Sequence, residues 1–407
     1  MAKQRTNAYY LKLSSFFSGL SFYTPIVPLY FLTHGVNLTV VVLAQAFYST
    51  AVLLFEVPTG VLADRFGHRK SVVVSTLMSA LGMLLVLVSP TVLTLFVSNA
   101  LFGLGEALQS GSKEALLFEG TKAEGNRKDY KKHLSHLWSY DNLAFAIGTA
   151  TVGLLYGHFK NDAFTTLIVA AAIAQMAAFI VNLRLRDVVG AELNPFAGSS
   201  MWHLFKSSLG QIRQDSFLRN ITYTRLLTLP AVYVVYGSYQ AYFKTNGVSP
   251  YFIGFALTLG GLANALCLRL VHRLEQVLSL DKAMLYLNIL LGLTYLCFSV
   301  VHAPWLLVAV YVFMQAQYNL QEPIVSDYIN DRTASGIRAS VLSGVSLIRQ
   351  VGNTGSKVLL GLSLTPFGIT GMLKIQAAYL VAGAFFSYWL LVRCGCTYRL
   401  SYESEKN

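Results

Sequence analysis

The sequence predicts an all-α polytopic membrane protein, with twelve transmembrane helices in two six-helix bundles related by a pseudo-two-fold parallel repeat. Three observations predict it. Of the 407 residues, 54% are apolar and only 12% charged, where soluble proteins carry about a quarter charged residues; the mean hydropathy is +0.52. Apolar runs of the length a helix needs to cross a bilayer, roughly 20 residues, recur along the whole chain. Short patterns in the first half also return in the second, in the same order.

Helices fit residues 8–32, 39–62, 71–89, 92–119, 134–157 and 163–183 in the first half. The second half fits 219–243, 251–272, 283–301, 304–328, 338–362 and 371–392. The longest polar segment, 184–218, holds Pro195, Gly198, Ser199 and Ser200, then an amphipathic piece from Trp202 to Ile212 suited to a membrane surface. The domain plan is therefore an N-terminal bundle (1–185), a cytoplasmic linker (186–217) and a C-terminal bundle (218–407).

The formal net charge of +12 would suggest a nucleic-acid partner in a soluble chain. Here the cations sit in alternate loops: Arg65, Arg69 and Lys70; Lys122, Arg127, Lys128, Lys131 and Lys132; Arg184, Arg186, Lys206, Arg213 and Arg219; then Arg269, Arg273, Arg332 and Arg338. The opposite loops hold Lys160, Lys244 and Lys374. Positive charge is retained on the cytoplasmic side, so both termini are expected in the cytoplasm, the protein in the plasma (inner) membrane, and no nucleic acid as partner. The start of the chain offers no small-residue cleavage site, so no removable signal peptide is expected. Cys267, Cys297, Cys394 and Cys396 give no disulfide framework.

The repeat is read from matched residues. Asn7, Tyr10, Lys12 and Leu13 align with Asn220, Tyr223, Arg225 and Leu226 at an offset of 213. Tyr30, Phe31, Thr33, Gly35 and Val36 align with Tyr242, Phe243, Thr245, Gly247 and Val248 at 212. An offset of 208 carries Asp64-Arg65 onto His272-Arg273, Gln109 onto Gln317, Glu114 onto Glu322, Glu119 onto Asp327 and Asp141 onto Arg349. Two halves in parallel repeat put a solute site between them near the bilayer midplane.

Between the second and third apolar runs lies Gly60-Val61-Leu62-Ala63-Asp64-Arg65-Phe66-Gly67-His68-Arg69-Lys70. Its glycines permit a tight turn and its cations mark one membrane face. Asp64 ends the preceding run, where a carboxylate is expected to meet a cation or a helix N-terminus. The stretch resembles the signature of the major facilitator superfamily, G-x-L-A-D-R-x-G-x-R-K, and the lead-in Phe55-Glu56-Val57-Pro58-Thr59-Gly60 is most similar to bacterial drug and metabolite exporters of the proton-antiporter type. The resemblance implies a secondary transporter working by alternating access, in which Gly60, Asp64, Arg65, Gly67, Arg69 and Lys70 form a cytoplasmic latch. In the second half, Val271-His272-Arg273-Leu274 lacks the glycines and the aspartate, so the latch is asymmetric. The antiporter pattern R-x-x-Q-G-x-G would fall with its arginine at Asn99 and its glutamine at Phe102, leaving Gly103 and Gly105; Gly148 and Gly153 resemble a glycine-rich antiporter motif without its proline.

Ionisable groups within spans cost at least about 2.5 kcal/mol and so face a cavity, a partner or a pathway. The candidates for proton coupling or gating are Glu56, Glu106, Glu114, Asp141, Arg225, Arg269, Glu322 and Arg349, with Lys12, Lys113, Glu119, Asp327 and Lys357 in the same class. A carboxylate here either titrates and couples proton flow to solute or serves as a permanent ion-pair strut. Glu106 has no cation within one helical turn in sequence. If the packing of the family holds, helix 2 meets helix 11 and helix 5 meets helix 8, so that Glu56 or Asp64 faces Arg349 or Arg338, and Asp141 faces Arg269. For the wall of a substrate cavity the candidates are Tyr23 and Tyr236, which are repeat-equivalent, with Gln109, Gln315 and Asn319.

The function expected is proton-coupled export of a drug-like or amphipathic metabolite by a monomer in the lipid bilayer, with a small-molecule substrate and protons as partners. Uptake or uniport of a small anionic or polar metabolite is the alternative, and a non-transporting receptor of the same fold is a third reading. No metal-ligand cluster, nucleophile constellation or phosphate loop stands in the sequence, so neither catalysis nor a cofactor is expected.

Overall fold

Apolar runs in lipid must satisfy every backbone N–H and C=O internally, which leaves the helix as the element for segments of this kind. The computed structural model describes residues 6–123, 130–186, 212–228, 237–317 and 338–393, together with Gly210, Val235, Leu320, Gln321, Ile324, Val325 and Ile329; these form helices joined by short turns, with no strand among them. Seven stretches among the described residues are long and apolar enough to span a membrane. The chain divides into two units, Met1–Met201 with Ser249–Thr258, and Trp202–Val248 with Leu259–Asn407.

In the first unit the helices are α1 Asn7–Gly19, α2 Val27–Thr33, α3 Leu38–Phe66, α4 His68–Val88, α5 Val92–Gln109, α6 Ser112–Ala123, α7 Tyr130–Phe159 and α8 Ala163–Asn182. Starts are capped from the sequence: Asn37 Oδ1 accepts from the Thr39 N–H (2.9 Å) ahead of α3, and Thr91 and Thr94 form a reciprocal capping box at α5. Between α3 and α4 the chain turns on the single residue Gly67, at φ +96°, where a side chain would be strained. A cluster of Ala8 and Leu11, Val72, Leu116 and Leu117, Leu137 and Leu185 binds α1, α4, α6 and α7 together.

Two helices expected to run unbroken are divided. The segment read as one helix over 8–32 stops at Gly19, with Leu20 at ψ 91°, and resumes at Val27 with Pro28 in its first turn. Pro25 pushes its predecessor away from helical angles, and a proline opens a helix more readily than it continues one. The segment 92–119 likewise breaks at Ser110 and Gly111.

The second unit comprises α9 Ser216–Thr228, α10 Tyr239–Thr245, α11 Phe252–Val277 (its residues to Thr258 group with the first unit), α12 Leu280–Val300, α13 Pro304–Ala316 and α14 Arg338–Arg393. The last is interrupted at Gly368, which leaves helical angles at φ 63°. Tyr239 stacks on Tyr311 with centroids 4.4 Å apart, and Phe243 and Phe298 close around them.

Several ties recur in the two units. Asn7 Nδ2 donates to the Arg186 carbonyl (2.9 Å) and the Arg186 N–H donates to Asn7 Oδ1 (3.0 Å); Asn220 Nδ2 donates to the Leu390 carbonyl (3.2 Å). The Tyr30 hydroxyl donates to the Val86 carbonyl (3.4 Å) and that of Tyr242 to the Ser299 carbonyl (3.2 Å). After each tyrosine comes a glycine of positive φ, Gly35 or Gly247, and a 3.0 Å backbone bond, Val36 to Phe31 or Val248 to Phe243.

Candidate functional site

The site grows from the break between α5 and α6. A helix that ends inside a protein leaves carbonyls without intrahelical donors. Two of them are approached by neighbouring helices: Ser71 Oγ on α4 donates to the Leu108 carbonyl (2.7 Å), and Thr59 Oγ1 on α3 shares its one proton between its own helix's Phe55 carbonyl (2.7 Å) and that of Ala107 (3.0 Å). The chain then passes through Ser110 (φ −55°, ψ 122°) and Gly111 (φ +73°) before α6 begins. Irregular backbone at membrane depth is tolerated where it lines a cavity, and here it does.

That cavity, of about 650 Å³, lies within the first unit and is lined by Glu106, Gln109, Ser110, Gly111, Lys113 and Glu114 around the break, by Ser18, Gly19 and Ser21, by Thr76 and Ser79 on α4, by Asp141 on α7 and by Gln175 on α8. Leu137, Trp138 and Phe145 supply its apolar wall. Lys113 lies within electrostatic reach of Asp141, Glu106 and Glu114. Gln175 Nε2 donates to the Ser18 carbonyl (3.3 Å), tying α8 to the end of α1. Gly19 lets α1 approach α7 so closely that a Cβ there would sit 2.9 Å from Asp141 Oδ1.

Of the residues expected to couple or bind, Glu106, Gln109, Glu114 and Asp141 come together at this cavity. Ser18, Ser21, Ser79 and Gln175 also line it and were not singled out from the sequence; their common surface depends on a helix break that spacing alone does not reveal. Tyr23 is elsewhere in the first unit, buried, its ring 6.4 Å from Phe102 and its hydroxyl without a hydrogen-bond partner among the described residues. Lys12 Nζ lies 2.9 Å from His133 Nδ1.

Of the latch stretch, Gly60 and Asp64 lie in α3, and the side chain of Asp64 is outside the described residues. Arg65 is exposed with its guanidinium 5.5 Å from the ring of Phe66, and Lys70 is exposed. Arg69 Nη2 donates to the Leu183 carbonyl at the end of α8 (3.4 Å), and His68 Nε2 stands 3.6 Å from Glu119 Oε1 on α6. Glu56 is half-buried in α3. In the second unit Gln315 is buried and donates to the Tyr311 hydroxyl (2.9 Å), and Arg269 is exposed on α11. Arg225 lies in α9 and Arg349 in α14, with side chains outside the described residues, as are Tyr236, Asn319 and Glu322 altogether. Among the described residues no three His, Cys, Asp or Glu side chains are grouped to hold a metal ion.

Membrane-length helices, broken where they line a charged and polar cavity, define a membrane transport protein. The sequence pattern of the Major Facilitator Superfamily matches residues 11–352, and the chain belongs to that family. It is 23% identical over 375 residues to the uncharacterized MFS-type transporter YxaM of Bacillus subtilis (strain 168), covering 89% of this chain and 90% of that protein. Among solved structures it resembles a mutant of the nucleoside transporter NupG (TM-score 0.81, 12% identity, 94% of this chain and 99% of that one). A POT family transporter in complex with a thioalcohol-conjugated peptide has the same fold (TM-score 0.74, 13% identity, 96% of each chain).

Proposed function

We propose that the chain is a secondary active transporter that works by alternating access and exchanges protons for a small polar solute at Glu106 and Asp141. The observation that carries this reading is the cavity, where three carboxylates, Glu106 and Asp141 with Glu114, and the Lys113 ammonium open into one space of about 650 Å³. Ionisable groups are retained at membrane depth when they serve a pathway. Because the carboxylates that would take the proton also line the solute space, proton and solute exclude one another there. Mutual exclusion at one site drives antiport, and with an inward proton gradient it drives export.

The serines, threonine and amides of the wall favour a polar metabolite over a drug-like amphipath, whose binding would need a larger apolar share. Lys113 taken alone favours the alternative, uptake or uniport of a small anionic solute, but it shares the cavity with three carboxylates. The nucleoside and peptide transporters of similar fold are named for polar solutes.

Around this site we place twelve helices in two six-helix halves, 1–185 and 218–407, joined by a cytoplasmic linker. The matching asparagine and tyrosine ties of the two units support the repeat. The latch closes the cytoplasmic side through the Gly67 turn, with Arg69 and His68 anchoring it to α8 and α6. Arg225 and Glu322 belong to the corresponding charges of the second half, and Tyr23, Tyr236, Gln315 and Asn319 to walls of the central pathway. The protein acts as a monomer in the plasma (inner) membrane with both termini cytoplasmic.

The test is flux in liposomes under an imposed pH gradient, with a panel of nucleosides, short peptides, amino sugars, organic acids and lipophilic cations. The expected result is accumulation of a polar member that a protonophore abolishes. Flux unchanged by the protonophore would overturn the coupling, and flux of lipophilic cations alone would overturn the polar class.

A further inference from the structure

Charges of both signs line the cavity, and the chain holds them apart. Glu106 stands in the last turn of α5, Lys113 in the first turn of α6, and Asp141 on α7. Lys113 interacts with both carboxylates, yet neither approaches it within the 4.0 Å of an ion pair. The amide of Gln109, on the same wall, makes no hydrogen bond with the described residues. A site for a simple cation gains nothing from a lysine, and a site for a simple anion gains nothing from three acids.

The helix break sharpens both poles. The carbonyl end of a helix is electronegative and the N–H end electropositive. Here the carbonyl end of α5 lies beside Glu106, and the N–H end of α6 beside Lys113, on the two sides of Ser110 and Gly111. Glu114, one residue after Lys113 in the first turn of α6, also lines the cavity, so that side carries an acid beside its ammonium, while Glu106 and Asp141 are acids alone.

We infer that the cavity binds a small hydrophilic zwitterion, its ammonium group at Glu106 and Asp141 and its acid group at Lys113 and the first turn of α6. The inference rests on the reading of this cavity as the solute site. It narrows polar solutes to those whose own charges complement both poles, so that neither sign is left uncompensated when water is displaced.

Four solutes with the same four-carbon backbone test it: 4-aminobutyrate, putrescine, succinate and 1,4-butanediol differ in the charges at their ends. Calorimetric titration into the purified full-length protein near neutral pH is expected to show 4-aminobutyrate binding about tenfold or more tighter than the others, a gap of about 1.4 kcal/mol. Lys113→Gln is expected to turn the preference toward putrescine, and Asp141→Asn toward succinate. A purely structural role for these residues would weaken all four alike and overturn the inference. So would tighter binding of putrescine, succinate or butanediol by the unaltered protein, or binding of none of the four. Proteoliposomes separate the two readings. Putrescine or succinate that moves protons in a Glu106-dependent way leaves transport standing and overturns the zwitterion. Binding of 4-aminobutyrate with the expected preference changes, but with no solute or proton movement, upholds the zwitterion site and overturns coupled transport.

Discussion

Thr59 and Ser71 show how much of the site is built by side chains that carry no charge. Each reaches from its own helix to a carbonyl that the end of α5 leaves unpaired. Thr59→Val and Ser71→Ala should each cost about 1 kcal/mol, read as a lower unfolding midpoint in detergent, with a larger loss of transport because the break they brace lines the cavity. Gly19 is the second such position. A Cβ there would meet the Asp141 carbonyl oxygen at 2.8 Å and Oδ1 at 2.9 Å. Gly19→Ala should therefore displace Asp141 and cost roughly 1–3 kcal/mol, and solute binding should fall while the helix content by circular dichroism stays unchanged. The charged lining residues were legible in the sequence because charges are conspicuous in apolar runs. Thr59, Ser71 and Gly19 were not, because a hydroxyl or a glycine is unremarkable until its neighbour is known.

At the scale of the element, the sequence shows where helices lie better than where they break. The hinge between α3 and α4 was plain, since two glycines and three cations interrupt the apolar pattern. The break at Ser110–Gly111 was hidden because glycine and serine occur in many unbroken membrane helices, although the run Gln109-Ser110-Gly111-Ser112-Lys113-Glu114 interrupts the apolar pattern there. The structure instead uses Gly111 for its positive φ. A left-handed conformation costs an ordinary residue roughly 1–2 kcal/mol, and asparagine bears it best. No atom beyond its chain neighbours lies within 4 Å of a Cβ built at Gly111, so the backbone angle alone decides. Gly111→Asn should retain most activity and Gly111→Val lose it, measured as initial flux at equal protein in the membrane. Equal activity of the two variants would show that the break is not required.

For the whole molecule, the repeat makes a symmetrical prediction. Asn7 and Asn220 each tie the start of one segment to a backbone far along the chain in the same unit. Asn7→Ala and Asn220→Ala should each destabilise by about 1 kcal/mol, the net worth of a part-buried hydrogen bond. The loss should be somewhat larger for Asn7, which makes two such bonds. Orientation follows from charge. With the four cysteines replaced, a cysteine at Lys70 should react with an impermeant thiol reagent only from the cytoplasmic side, and one at Lys160 only from the other. What the sequence showed of the ties in the two units was the recurrence of Asn7, Tyr30 and Gly35 with their spacing at Asn220, Tyr242 and Gly247. The cavity as a shape was not visible there, because it depends on the packing of α1, α4, α5, α7 and α8.

The central claim is that protons and solute meet at Glu106. It is tested most directly by following the internal pH of liposomes that contain the protein while a transported solute is added, with Glu106→Gln alongside. The account predicts solute-dependent proton movement in the unaltered protein and none in Glu106→Gln, whose solute binding should be weakened but, with Asp141 in place, still measurable at higher solute concentration. Proton movement that persists in Glu106→Gln would contradict it.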